Sequence, residues 1–277
     1  MADTAALHIM SLVKWVPDAQ LERQFDSANR LERAEGILAE LDEYPLEAAL
    51  QIREAHPELD VRVSAVCVGP HGASAALKKA LQIGADDAFL LSDEALAGAD
   101  IRATGVALSA AIRQAYTSTP PGGEEEAQQQ RELLVLTGMT SDDGESGAVP
   151  AQLAERLEAH LISYATSVAV EDGRLRLSRA TGSEQVTLSA PLPAVVSVTD
   201  QANDPRYPNF KAIMAAKKKP LIQWSLADVQ LDPAEAASRA VITAAEPRPP
   251  RSAGEVIDDD GEGGTKIVEF LAKERLL

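Results

Sequence analysis

Hydrophobic residues follow two different periods along the first half of the chain. Short apolar runs alternate with segments whose apolar residues recur every three to four positions, and these patterns are typical of buried strands and of amphipathic helices. The predicted strands cover residues 7–13, 61–68, 88–91 and 133–136, and the predicted helices cover residues 42–52, 74–83, 100–116 and 148–157. Gly84 is placed to end the second helix, and Asp100 to cap the third. The alternation predicts an α/β fold with a mostly parallel, doubly wound sheet that is covered on both faces.

The pattern changes in the second half. Apolar and polar residues alternate over residues 164–170, 175–178 and 186–188, which predicts a small antiparallel hairpin excursion. The apolar run 194–198 is predicted to rejoin the main sheet, and residues 213–219 to form a short helix.

Turn-forming residues mark the segments outside this core. Residues 119–130, rich in Pro, Gly, Glu and Gln, predict an exposed loop or an insertion. Residues 244–264 predict an extended linker or arm, and residues 265–277 an amphipathic helix that docks either on a partner or on its own domain. The main domain is therefore expected to span residues 1–243.

Composition excludes several classes of protein. The formal net charge of −17 argues against nucleic-acid binding, which needs clustered Lys and Arg. No apolar run approaches the roughly 20 residues of a membrane span, and no basic region precedes an apolar stretch at the N-terminus. Cys67 is the only cysteine, which favours a reducing cytoplasmic location. The four histidines are scattered, so we expect no metal site and no acid–base or nucleophile set for catalysis.

The strongest chemical signal lies at residues 136–149, which follow a predicted strand and open a helix. Gly144 and Gly147 allow close approach of the backbone to an anion, Ser146 offers a hydroxyl, and the helix start near Ala148 favours negative charge. The pattern fits a phosphate site, and it equally fits an ordinary Gly-rich turn. Three acidic residues look wrong for an anion site, so we expect them to cap the helix or to face solvent: Asp142, Asp143 and Glu145. Neither a Walker loop nor a Gly-x-Gly-x-x-Gly fingerprint after the first strand is present.

A second notable segment, at residues 203–219, combines two prolines with Tyr207 and Phe210 and ends in three lysines. Exposed aromatic side chains are favoured at binding surfaces. The alternative is a loop whose phenylalanine packs inward beside solvated lysines.

Several segments, in order along the chain, resemble the beta subunits of electron-transfer flavoproteins and the related FixA-like proteins. These segments are VKWVPD at residues 13–18, LDEYPLEAALQIRE at 41–54, VGP at 68–70, ALKKALQIGADDA at 76–88, DGESG at 143–147, LPAVV at 192–196, DPRY at 204–207, IMAAKKK at 213–219 and GGTKIVEFL at 263–271.

The resemblance implies an adenine-nucleotide alpha-hydrolase-like fold and a heterodimer with an alpha subunit that holds FAD. The chain would then be an electron carrier subunit rather than an enzyme, passing electrons from dehydrogenases of the acyl-CoA type to a quinone reductase or another respiratory acceptor. It would bind AMP structurally, or a second FAD if the complex is electron-bifurcating and accepts electrons from NADH. An alternative of another class is a stand-alone adenine-nucleotide sensor.

The resemblance also assigns residues. The implied nucleotide-binding residues are Leu12, Ala39, Glu40, Leu41, Asp42, Val68, Gly138, Met139, Thr140, Ser141, Asp142, Asp143, Gly144, Glu145, Ser146, Gly147, Ala148 and Val149. The implied partner-recognition residues are Arg206, Tyr207, Phe210, Ile213 and Met214, with Phe210 as the anchor that inserts into partner dehydrogenases.

Overall fold

The computed structural model describes residues 6–33, 35–118, 131–246, 249–250, 254, 256 and 258–277. The predicted loop at residues 119–130 and parts of the predicted linker lie outside the described residues. The strands are β1 (Ala6–Leu12), β2 (Trp15–Pro17), β3 (Gly36–Leu38), β4 (Asp60–Val68), β5 (Asp87–Leu91), β6 (Glu132–Gly138), β7 (His160–Ala165), β8 (Ser167–Glu171), β9 (Arg174–Thr181), β10 (Glu184–Ala190), β11 (Ala194–Val198) and β12 (Leu221–Trp224). The helices are α1 (Glu43–Ala55), α2 (Ser74–Ile83), α3 (Ile101–Thr117), α4 (Val149–Leu157), α5 (Phe210–Ala216) and α6 (Gly263–Lys273).

A seven-stranded sheet in the order β12-β5-β4-β1-β6-β11-β7 forms the centre of the described fold. Every neighbouring pair in this sheet is parallel. Consecutive side chains of a strand point to opposite faces, so Ile9 of β1 packs on one side and Met10 on the other. Leu46 of α1 and Leu77 of α2 belong to the first apolar cluster. Helices α3 and α4 supply the second cluster, which confirms the predicted doubly wound α/β fold.

Local signals placed several helices correctly. Helix α2 has the predicted bounds and ends at Gly84, whose φ of 157° lies in the region that favours glycine. The Asp100 carboxylate accepts a hydrogen bond of 2.7 Å from the Ala103 N–H, so the predicted cap of α3 is confirmed. Strand β11 also has the predicted bounds and lies within the main sheet.

Other elements differ from the prediction. Residues 164–170 were predicted as one antiparallel strand, whereas β7 ends at Ala165 in the main sheet and β8 begins at Ser167 in a separate sheet. Strand β7 is an edge strand in which Ile162 and Ala165 are buried but the other positions are not, so it lacks the continuous apolar run of a central strand. Strand β12 and the two-stranded sheet of β2 and β3 were not predicted, because each has only three or four residues.

The hairpin excursion forms an antiparallel sheet in the order β10-β9-β8, as the alternation predicted. Its buried residues that join the first apolar cluster are Val170, Leu175, Leu177 and Ala190. Helix α5 begins at Phe210, three residues before the predicted start, because the Asn209 side chain accepts a hydrogen bond from the Ala212 N–H and caps it there.

The chain forms two compact units, Met1–Thr243 and Ala244–Leu277. Within the second unit, α6 begins two residues earlier than predicted and has no buried residue. Three of its apolar residues are at least half exposed: Ile267, Val268 and Phe270. No helix in the described ranges combines the length and the apolar character needed to cross a bilayer.

The buried His8 makes the stability of the fold depend on pH. Its Nε2 lies 2.7 Å from the Ser64 hydroxyl. Burial, with smaller effects from the charges of Arg62 and Arg131, lowers the pKa of His8 to about 3. The unfolded chain therefore binds a proton below about pH 6.5 that the folded protein does not bind. The contribution of His8 to the free energy of unfolding should fall as the pH drops from about 6.5 towards 3.

We expect this contribution to decrease by about 2 kcal/mol between pH 7.5 and pH 5. Urea unfolding of the wild-type protein and of His8→Gln at both pH values measures it. Between pH 7.5 and pH 5, the unfolding free energy of the wild type should fall by more than that of His8→Gln. The same difference at both pH values would contradict a neutral, buried His8.

Candidate functional site

A crevice opens at the carboxyl ends of β1, β4 and β6. Strands β4, β5 and β12 lie on one side of β1, and β6, β11 and β7 lie on the other. The strand order therefore reverses beside β1, and open α/β sheets bind ligands outside the carboxyl ends of their strands at such a point. Leu12, Val68 and Gly138 are the last residues of the three strands, and all three line the crevice.

Ten of the predicted nucleotide-binding residues line this crevice. They are Leu12, Asp42, Val68, Gly138, Met139, Thr140, Ser141, Ser146, Gly147 and Val149. The other eight do not form part of its lining: Ala39, Glu40, Leu41, Asp142, Asp143, Gly144, Glu145 and Ala148. The assignment of a nucleotide to these residues stays a prediction.

The crevice also contains residues that the sequence analysis did not select. They are Val13, Lys14, Thr104, Leu108, Thr137 and Pro150. Lys14 could have been found from the sequence, because it lies two residues beyond the first strand. Thr104 and Leu108 are four residues apart on one face of α3, and only the packing of that helix brings them to the crevice.

Gly138 allows the end of β6 to pass close to the segment before α1. A Cβ atom at this position would lie 2.8 Å from the Leu41 carbonyl oxygen and 2.7 Å from Asp42 Oδ1. Real Cβ atoms do not approach a backbone oxygen this closely, so the floor of the crevice depends on glycine at this position.

The loop at residues 139–148 has the shape of an anion cradle. Glu145 and Gly147 have positive φ values of 47° and 59°, and a turn of this kind directs successive N–H groups to one side. The N–H groups of Ser146 and Gly147 have no hydrogen-bond acceptor in the described part of the chain. Helix α4 begins behind them without a side-chain cap, so its N-terminus also favours negative charge.

Two further features support a polar ligand. The Thr140 hydroxyl is buried and has no hydrogen-bond partner among the described residues, and such a group normally finds one. The Lys14 ammonium lies 3.1 Å from the Ser141 hydroxyl, which brings a positive charge to the crevice. The residues present therefore fit the phosphate of a nucleotide.

The expectation that Asp143 caps the helix or faces solvent is wrong, because it neither caps α4 nor faces solvent. Its side chain is only 3% exposed and makes ion pairs with Lys14, at 2.7 Å, and with Arg33. Burial raises the pKa of Asp143, but the Lys14 ammonium and the Arg33 guanidinium outweigh burial and lower it to about 2. The carboxylate is thus charged and compensated at neutral pH.

Asp42 is a second buried carboxyl group that contacts Lys14. It accepts a hydrogen bond of 2.8 Å from the Lys14 backbone N–H. Burial raises the pKa of Asp42 to about 7; the Lys14 N–H opposes this effect, and the charge on Asp142 adds to it. Asp42 therefore binds a proton in the folded state between about pH 4 and 7 that the unfolded chain does not, so it stabilises the fold as the pH falls, opposite in sign to His8.

The predicted recognition segment presents aromatic side chains to solvent. Tyr207 is 91% exposed and Phe210 is 77% exposed, so the alternative of an inward phenylalanine is wrong. Met214 is exposed one helical turn beyond Phe210, and Ile213 is half-buried.

Arg206 has a different position from the other predicted recognition residues. Its guanidinium makes ion pairs with two carboxylates of α1, the buried Glu47 at 2.7 Å and Glu54 at 2.5 Å. The Asn203 side chain donates a hydrogen bond of 2.9 Å to the Tyr44 carbonyl. Arg206 thus ties the segment to α1. Of the three lysines, Lys219 donates hydrogen bonds to the Leu81 and Ala85 carbonyls, at the end of α2.

The doubly wound sheet, with a glycine-containing crevice where the strand order reverses, is typical of open α/β proteins that bind a ligand at this point. A family model described as "Electron transfer flavoprotein domain" matches residues 30–229, which is most of the chain. The chain belongs to the electron transfer flavoprotein family, and the resemblance seen in the sequence is confirmed.

The similar proteins agree with this family. The chain is 38% identical over 278 residues to the electron transfer flavoprotein subunit beta of Mycobacterium tuberculosis, with 98% of this chain and 99% of that protein covered. It is 37% identical to the subunit of the same name in Mycobacterium leprae, with the same coverage. It is 32% identical to CarD of Acetobacterium woodii, a subunit of a caffeyl-CoA reductase–Etf complex, over 82% of this chain and 81% of that protein.

Proposed function

We propose that this chain is the beta-type subunit of a heterodimeric electron-transfer flavoprotein and that it binds AMP structurally in the crevice. The partner would be an alpha subunit that holds FAD. The proposal is supported by membership of the family over nearly the full length of beta-type relatives. The observation that supports the nucleotide is that the N–H groups of Ser146 and Gly147 have no acceptor among the described residues. Both residues line the crevice at the reversal point of the sheet.

The roles of the crevice residues follow from their chemistry. The Ser146 and Gly147 N–H groups and the Lys14 ammonium would hold the phosphate, because charge-assisted hydrogen bonds to an anion are the strong ones. The apolar side chains of Leu12, Val68 and Leu108 would contact the adenosine. In these roles the residues bind a nucleotide and do not react with it, so the chain would act as a carrier subunit rather than as an enzyme.

FAD bound to the alpha subunit would supply the redox chemistry. Dehydrogenases of the acyl-CoA type would dock at Tyr207, Phe210 and Met214, whose side chains are exposed in α5 and in the loop before it. Electrons would then pass to a quinone reductase or another respiratory acceptor. A cytoplasmic location stays a prediction from the single buried cysteine.

A second candidate is an electron-bifurcating complex in which this chain binds its own FAD and accepts electrons from NADH. The similarity to CarD of the Acetobacterium woodii Etf complex is the observation that favours it. The two candidates differ in the contents of the crevice, and a count of cofactors therefore separates them.

Co-expression with an electron-transfer flavoprotein alpha subunit from the same organism tests the proposal. We expect a 1:1 heterodimer with one FAD and one AMP, whose flavin absorbance bleaches when an acyl-CoA dehydrogenase and its substrate are added. Two FAD molecules and no AMP would instead support bifurcation. A homo-oligomer that forms no complex with the alpha subunit would contradict both and support a stand-alone nucleotide sensor.

A further inference from the structure

The acidic residues of the cradle loop raise an electrostatic problem. Asp142, Asp143 and Glu145 all lie within the loop that would bind a phosphate. Asp142 and Glu145 are accessible to solvent, which screens their charge. The Asp143 side chain is almost completely buried, and a buried charge is screened much less. Without compensation, Asp143 would repel the ligand.

Two cations compensate this one carboxylate. Lys14 contacts Asp143 Oδ1 at 2.7 Å, and Arg33 pairs with Oδ2. With both cations present, the cluster of Lys14, Arg33 and Asp143 carries a formal charge of about +1 at neutral pH. With Lys14 alone, the charge would be zero, and the ammonium would be committed to Asp143 instead of a ligand.

We propose that Arg33 is a positioning residue for the anion site, which neutralises Asp143 and leaves the positive charge of Lys14 available to a phosphate. This inference rests on the proposed nucleotide-binding function. Arg33 lies outside the crevice lining, so it acts through Asp143 and not by contact with the ligand.

The backbone around Arg33 holds it in place for this role. Its Nη1 donates a hydrogen bond of 2.9 Å to the Trp15 carbonyl, and the Trp15 indole donates one of 3.2 Å to the Arg33 carbonyl. Trp15 directly follows Lys14 in the chain and pairs with Leu38 in the sheet of β2 and β3. The two cations that hold Asp143 are thus fixed to each other through the backbone.

The same segment contacts the loop at a second point. Arg23 donates a hydrogen bond of 2.9 Å to the Asp142 carbonyl. This segment, residues 15–38, therefore contacts the cradle loop at two points. Arg23 hydrogen-bonds to the Asp142 carbonyl, and Arg33 forms an ion pair with the Asp143 carboxylate. Arg30 lies in this segment as well, but its ion pair is with the nearby Asp26, and it provides a matched control.

The experiment compares AMP with adenosine, because adenosine lacks the charge on which Arg33 would act. Nucleotide-depleted heterodimers are titrated calorimetrically with each ligand. Arg33→Gln should bind AMP about tenfold more weakly than the wild type and adenosine equally well. Arg30→Gln should bind both ligands as the wild type does.

A charge-restoring variant and a variant of Asp143 keep the inference testable if Arg33→Gln folds poorly. Arg33→Gln combined with Asp143→Asn returns the cluster to +1 and should recover AMP binding. Asp143→Asn alone should bind AMP more tightly than the wild type, although it removes two ion pairs.

The possible failures are distinguishable. If the wild type does not bind AMP, the proposed function fails together with this inference. If the wild type binds AMP and Arg33→Gln binds it equally well, only the role of Arg33 is overturned. Equal losses of AMP and adenosine affinity in Arg33→Gln, no recovery in the double variant, or weaker AMP binding by Asp143→Asn would each show a purely structural role and overturn the inference.

Discussion

Gly138→Ala should lose AMP binding and destabilise the protein by about 1–3 kcal/mol. The new Cβ atom would lie 2.8 Å from the Leu41 carbonyl oxygen and 2.7 Å from Asp42 Oδ1. The Leu41 oxygen belongs to the backbone of the turn that leads into α1, so it cannot move as the end of a flexible side chain could. Either β6 or this turn must shift, and each contributes to the crevice lining, through Gly138 and through Asp42.

Chemical denaturation and the AMP content of the purified heterodimer measure the two effects. Gly72→Ala is a suitable control, since no atom lies within 4 Å of the position that its Cβ would occupy. Gly144→Ala tests the loop itself. Its new Cβ would meet the Ser141 hydroxyl at 3.0 Å, which is the end of a side chain that can rotate, so we expect a much smaller effect. Normal stability and AMP content in Gly138→Ala would contradict the close approach described for β6.

Sequence patterns predicted the centre of this fold better than its edges. Central strands such as β1 are buried at every position and therefore appear as continuous apolar runs. The edge strands β7 and β12 contact one neighbour each in the main sheet and expose part of their side chains, so their sequences lack that run. Residues 164–170 accordingly resembled one hairpin strand, although they contribute to two different sheets.

The candidate site shows a similar limit. The glycines and hydroxyls of the cradle lie together in the sequence, and local reasoning identified them. The partners of Asp143 are 129 residues away at Lys14 and more than a hundred residues away at Arg33, so no local pattern could show that this carboxylate is neutralised. The same holds for Phe210, because whether an aromatic side chain packs inward or faces solvent depends on tertiary contacts.

Phe210→Ala should lower the efficiency of electron transfer from an acyl-CoA dehydrogenase at least thirtyfold, which corresponds to about 2 kcal/mol, the loss typical of an interface hot spot. The loss should appear mainly as a higher KM for the heterodimer, because the ring would contribute to docking and not to the redox step. The free energy of unfolding should change by less than about 0.5 kcal/mol, since the side chain is 77% exposed in the described structure.

Val241→Ala is the matched control. Val241 is 82% exposed and lies in the same compact unit as Phe210, but it is outside the segment at residues 203–219. This variant should retain the wild-type KM. An unchanged KM in Phe210→Ala, or equal changes in both variants, would contradict docking at this segment.

The contribution of Phe210 should depend on Arg206, because the Arg206 guanidinium holds the loop that precedes α5 on Glu47 and Glu54 of α1. If Arg206 only presents the loop, Arg206→Gln should raise KM, and the additional effect of Phe210→Ala in that background should be smaller than in the wild type, since contacting or coupled residues are not additive. If Arg206 instead contacted the dehydrogenase directly, the two losses would be closer to additive.

A double-mutant cycle on KM, with unfolding free energies measured in parallel, distinguishes these outcomes. Glu47 is buried and would lose its cation in Arg206→Gln, so some loss of stability is expected there, whereas none is expected for Phe210→Ala.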